Sequence, residues 1–93
     1  MEVIVDLYST EKKEIKNFID KFSGKKNTLE NDLTWRNVYK NPVQAADIIG
    51  VFIDNKEKYK INMWVSIDKD FFINITDYNA DKIIRYLFER YPY

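Results

Sequence analysis

Asp68 and Asp70 flank Lys69, and Asp77 and Asp81 follow a short distance on. Carboxylate oxygens are the ligands hard divalent cations prefer, and a pair at this spacing could share one. An EF-hand loop would also place a glycine at the turn and a bidentate acid at a fixed later position. Neither is present here. Aspartate is equally favoured in tight turns, because it tolerates left-handed backbone and bonds its own main chain. The run therefore reads as a solvated hairpin turn, and no metal is expected.

Gly24-Lys25-Lys26 has the residue types of a phosphate cradle. Anions bind helix N-termini, whereas this run ends a helix, where lysines complement the dipole instead. The lysines of the first helix, Lys12, Lys13, Lys16 and Lys21, are interspersed with Glu11, Glu14 and Asp20, which is the pattern of an ordinary solvated face.

The chain contains no histidine and no cysteine. Ser-His and Cys-His nucleophile pairs and thiolate or imidazole zinc sites are thereby excluded. The glycines are isolated, so neither a Walker nor a dinucleotide-binding loop can be written. What remains is catalysis by Asp, Tyr or Lys alone, for which no constellation stands out. We expect no enzyme activity, no catalytic residue and no cofactor.

Aromatic residues carry the more informative pattern. In residues 58–68, Tyr59, Ile61, Met63, Val65 and Ile67 alternate with Lys58, Lys60, Asn62, Trp64, Ser66 and Asp68, the period of a half-buried strand. Trp64 falls in the polar phase. Residues 71–76 alternate likewise, with Phe71, Ile73 and Ile75 opposing Phe72, Asn74 and Thr76. If residues 50–54 are a strand with Val51 and Ile53 inward, Phe52 joins the outer phase. Trp64, Phe72, Phe52, Lys60 and Asn74 are thus the candidate binding residues, aromatic rings in a polar frame. The competing reading is a scatter of singly exposed rings, which is normal on any surface.

The remaining elements follow from spacing. Residues 2–8 read as an interior strand with Val3, Val5 and Leu7 on one face. Ser9-Thr10 caps a helix whose stripe is Ile15, Phe18, Ile19 and Phe22, ending at Ser23-Gly24. A polar connector covers 25–32 and a strand covers 33–39. Asn41-Pro42-Val43-Gln44 starts a helix, read as short (42–49) because Gly50 and its β-branched neighbours favour a strand at 50–54. The competing reading continues that helix to about Asn55. A final helix, about 78–91, is capped by Thr76 or Asp77, buries Ala80, Ile83, Ile84, Leu87, Phe88 and Tyr91, and ends at Pro92. The expected fold is a single α+β domain over residues 1–93, a two-layer sandwich. Its order is β-α-β-(short α)-β-β-β-α, with a mainly antiparallel sheet and two long helices on one face. Matching core faces in the last hairpin sets Val65 against Ile73 around a loop Asp68-Lys69-Asp70, with Asp70 left-handed.

Fifteen basic residues balance fifteen acidic ones in a chain of 93. Affinity for duplex nucleic acid rests on phosphate neutralisation, so net charge zero argues against it. The final helix opens with Asp77 and Asp81, which would repel phosphate where double-stranded RNA-binding domains present basic residues. The acidic start Met1-Glu2-Val3-Ile4-Val5-Asp6 is unlike a signal peptide, and the longest apolar run, Ile48 to Ile53, is too short to span a bilayer. With no cysteine, a cytoplasmic setting is expected and no membrane partner. Lys, Asn, Ile, Tyr and Phe make up about half the chain, a bias that points to AT-rich, bacterial coding sequence. The expected function is a non-catalytic protein-interaction module: an adaptor, an inhibitor or an immunity-type partner. Its partner would be another protein or a second copy. The alternative is a single-stranded nucleic-acid binder that stacks bases on the outer aromatics.

Overall fold

The computed structural model describes residues 1–22 and 33–91. Its elements run β1 (Val3–Tyr8), α1 (Glu14–Phe22), β2 (Thr34–Tyr39), α2 (Pro42–Asp54), β3 (Asn62–Ile67), β4 (Ile73–Asn74) and α3 (Ala80–Phe88). The fold is α+β. One antiparallel four-stranded sheet has the order β2-β1-β3-β4. The expected connector and the Ser23-Gly24 helix end lie outside the described residues, as does Pro92.

β1 occupies the interior position that its apolar run implies. It pairs with β2 on one side (Val5↔Asn37) and β3 on the other (Val5↔Val65). Val3, Val5 and Leu7 are completely buried, and Met63 and Val65 continue the same inner face across β3. Trp35 extends it onto β2. Against this face sit Ile15, Phe18 and Ile19 of α1, Ile48, Ile49 and Phe52 of α2, and Ile83 and Leu87 of α3.

Ser9 is the joint between β1 and α1. Its hydroxyl accepts from the Glu11 amide (3.0 Å) and donates to the Lys60 carbonyl (2.6 Å). The Lys60 amide in turn donates to Glu14 (3.0 Å), so the start of α1 is tied to the segment leading into β3. Ser9 therefore works in a turn ahead of the helix, and Lys13 takes a left-handed conformation before Glu14 starts it. Tyr59 packs edge to face on Phe18 and Phe22 at 5.5 and 6.1 Å, and those two rings, tilted at 5.1 Å, close the same corner.

Residues 42–54 correct the sequence reading: they form one helix, and there is no strand at 50–54. Asn41 caps it as expected, with its side chain accepting from the Val43 amide (2.9 Å) and Pro42 in the first turn. Asn55 closes the other end by donating to the Val51 carbonyl (2.8 Å). Buried positions Ala45, Ala46, Ile48, Ile49 and Phe52 cover a broad arc because α2 contacts both the sheet and α3. A helix that is apolar over a broad arc loses clean 3.6-residue periodicity, and a short apolar run then resembles a strand. Gly50 has no structural need to be glycine, since a Cβ there would meet only Ile84 Cδ1 at 3.9 Å. With α2 at 13 residues, three helices rather than two long ones cover the sheet among the described residues.

The last hairpin keeps the expected ladder, Val65↔Ile73 and Trp64↔Asn74, but reaches it differently. Asp68 and Lys69 are the left-handed residues (φ 53° and 65°), and the Asp70 amide donates to the Ile67 carbonyl (3.1 Å). This is a two-residue turn of the hairpin type. The ladder register is one residue out of step with that turn, so an extra residue is accommodated before β4. Phe71 falls there and is 71% exposed, not paired with Ile67 in the core.

α3 begins later than expected, after a turn in which the Thr76 carbonyl accepts from both Asn79 and Ala80 amides. Asn79 accepts from the Thr76 amide (2.8 Å) and donates to the Asn74 carbonyl (2.8 Å), fixing α3 to β4. Ala80, Ile83 and Leu87 are buried, and Ile84 is partly so. Phe88 (47%), the last residue of α3, and Tyr91 (52%), beyond its end, are exposed.

Leu87→Ala should cost about 2–5 kcal/mol, the range for truncating a buried leucine. Phe88→Ala should cost under about 1 kcal/mol. Gly50→Ala should stabilise by about 0.5–1 kcal/mol, since an open helix interior gains from alanine. Chemical denaturation of the three variants checks these values, and a destabilising Gly50→Ala would contradict the continuous α2.

Candidate functional site

With the described helices packed on one side, no described element covers the other face of the sheet. Alternation puts Ile4, Asp6 and Tyr8 of β1 there, with Thr34, Arg36 and Val38 of β2 and Asn62, Trp64 and Ser66 of β3. Asn74 joins them opposite Trp64. Trp64 is 42% exposed, Phe72 37% and Tyr8 46%. Tyr8 pairs with Asn62, Asp6 with Trp64, and Trp64 with Asn74. Tyr8, Trp64 and Phe72 therefore step diagonally across β1, β3 and the approach to β4, each within diagonal reach of the next.

Of the expected binding residues, Trp64, Phe72 and Asn74 share this face. Asn74 also donates to the Met63 carbonyl (3.1 Å), which holds the short β4 in place. Phe52 does not belong to it. It is 1% exposed within α2, so it is a core residue. Lys60 precedes β3 and its ammonium pairs with Glu11 (3.3 Å).

Arg36 and Asp6 are the members that sequence reasoning missed. Their strands are neighbours, with Asp6 opposite Arg36. The guanidinium donates to both carboxylate oxygens, Nε to Oδ1 at 2.6 Å and Nη2 to Oδ2 at 2.7 Å. Its carbon also lies 5.3 Å from the Phe72 ring centroid. The guanidinium thus sits between the Asp6 carboxylate and the Phe72 ring, a geometry suited to cation–π attraction. The hydrogen bonds to Asp6, then its charge, raise the guanidinium pKa further, so Arg36 stays charged at every accessible pH. Tyr39, on the inner side of β2, has its pKa raised by burial, with a hydrogen bond to Asn37 acting in the opposite sense.

Of the carboxylates weighed for a metal, Asp68 and Asp70 each accept from a main-chain amide. Asp68 Oδ1 accepts from the Glu2 amide (2.9 Å), and Asp70 Oδ1 accepts from the Phe71 amide (2.8 Å). Among the described residues, no group of three or more acids, histidines or cysteines is placed to hold an ion. No helix among the described residues is long and apolar enough to cross a membrane. A groove of about 680 Å³ runs between the hairpin and α3, lined by Ile67, Phe71, Ile73, Ile83 and Tyr86. No family model, curated protein or solved structure matches the chain.

Because the face is built on exposed side chains of paired strands, changing it should leave the fold intact. Trp64→Ser with Phe72→Ser should alter stability by no more than about 1 kcal/mol, and Asp6→Asn by about 0.2–1 kcal/mol, the worth of an exposed ion pair. Thermal and denaturant unfolding read both. A loss of several kcal/mol in the double variant would mean that these rings are core.

Proposed function

We propose that this chain is a non-catalytic protein-interaction module of the adaptor, inhibitor or toxin-immunity kind, working in a bacterial cytoplasm. The open sheet face is its docking surface. The observation that supports this reading is the Tyr8–Trp64–Phe72 diagonal, three large exposed rings on a rigid, hydrogen-bonded platform. Aromatic side chains that are already held in place lose little entropy on binding and often anchor interfaces.

Charge favours a protein over nucleic acid as the occupant. A single strand of RNA or DNA would stack on the same rings, but its phosphates require available cations. Arg36 is doubly bonded to Asp6, and Lys60 is turned onto Glu11. A partner surface that is apolar at its centre and polar at its rim meets no uncompensated charge on this face. Strand spacing and rise give the face an area of roughly 300–400 Å². That is below the ~800 Å² per partner of a standard stable interface. A tight partner must therefore extend beyond the face, and one confined to it will exchange quickly.

The test is selective capture. Wild type, the Trp64→Ser/Phe72→Ser double variant and Tyr78→Ser, which changes a fully exposed ring in the turn before α3, serve as baits in parallel. A protein held by wild type and Tyr78→Ser but lost by the double variant supports the face. Equal capture by all the baits removes it. Retention of single-stranded RNA or DNA at low salt, abolished by the double variant, would transfer the face to the nucleic-acid reading.

A further inference from the structure

The two edges of the sheet are built differently. β4 is two residues long, and its outward carbonyl at Asn74 accepts from the Asn79 side chain (2.8 Å). A short, capped edge is protected against further strand pairing. β2 is six residues long, pairs with β1 along its whole length without a bulge, and contains no proline.

The hydrogen-bond phase of β2 can be assigned. The Ser9 amide donates to the Leu33 carbonyl (2.9 Å), so Leu33 points its polar backbone groups toward β1. Antiparallel alternation then directs those of Trp35, Asn37 and Tyr39 the same way. Thr34, Arg36 and Val38 direct their N–H and C=O groups to the free edge. Among the described residues, none hydrogen-bonds to that edge.

We infer that the β2 edge is a self-association site, at which a second copy of this chain adds its own β2 antiparallel about a two-fold axis through Arg36. The strand is self-complementary in this register. Thr34 and Val38 lie two residues to either side of Arg36, so each meets the other in the partner copy and Arg36 meets its own equivalent. Every outward N–H and C=O of these residues then finds an acceptor or donor. Like charges placed opposite each other normally block such a pair. Here each guanidinium is bound to Asp6 of its own chain and extends toward Phe72, away from the axis. The side chain that would guard the edge is folded back over the sheet. The axis runs perpendicular to the sheet, so the helices of both copies lie on one side and the two open faces form one continuous surface.

A single strand pair buries less than the ~1,200 Å² typical of stable complexes, so the dimer should form in the upper micromolar to about 1 mM range. Sedimentation velocity of the whole chain across that range is the test. Wild type should approach twice the chain mass, and Val38→Pro should remain monomeric. Proline at Val38 removes an outward N–H and none that bonds β1, so edge position tolerates it. Circular dichroism confirms its fold, and Val38→Lys is the second variant if proline prevents folding. Trp64→Ser alone, which leaves Arg36, Asp6 and Phe72 in place, should dimerise like wild type, which separates edge pairing from docking on the face. Wild type that stays monomeric at about 1 mM overturns the inference. So does a dimer that persists unchanged in both Val38 variants.

Discussion

β1 is hydrogen-bonded on both sides, and its side chains alternate between complete burial and the open face. Everything else in the molecule is arranged by that strand. Val3, Val5 and Leu7 set the plane on which the helices pack. Ile4, Asp6 and Tyr8, the intervening residues, set what the other face can display. Because side chains in a strand have period two, the covered face and the exposed face cannot be chosen independently. A one-residue slip of β1 would bury Asp6 and expose Val5, so the core and the candidate site share one register.

Arg36 shows how this constraint reaches function. It stands on an edge strand, where a charged side chain usually discourages further pairing. Asp6 on the central strand instead holds it over the sheet, and Phe72 receives its far end. One ion pair thereby has two consequences. The open face carries no net charge, which suits a protein partner better than phosphate. The edge of β2 loses its guard, which suits a second copy. The energy of the pair is small because it is exposed, and its importance lies in where it holds the guanidinium.

The sequence made β1, β3 and the ladder of the last hairpin legible, because strict alternation of Val3, Val5, Leu7 and of Met63, Val65 leaves only one way to bury both. It did not reveal Phe52 as a core residue. α2 contacts both the sheet and α3, so its apolar residues spread around the helix and the strand-like run at 50–54 is an effect of burial. Phe71 and Phe88 were misplaced for a different reason. Period alone shows neither the extra residue that takes Phe71 out of the ladder nor where the core ends along α3, beyond which Phe88 is exposed. Tyr8 and Arg36 were visible as outer-phase residues. Their association with Trp64 and Phe72 depends on the strand order β2-β1-β3-β4, which is tertiary information that no local spacing carries.

The central claim is that helices cover one face of the sheet and leave Tyr8, Trp64 and Phe72 in solvent on the other. Hydroxyl-radical footprinting of the native chain, read residue by residue by mass spectrometry, measures this directly. Tyr8, Trp64 and Phe72 should be oxidised readily, while Trp35, Phe18 and Phe52, all nearly inaccessible, should be protected until the protein unfolds. Rapid oxidation of Phe52 together with protection of Trp64 in the monomer would contradict it.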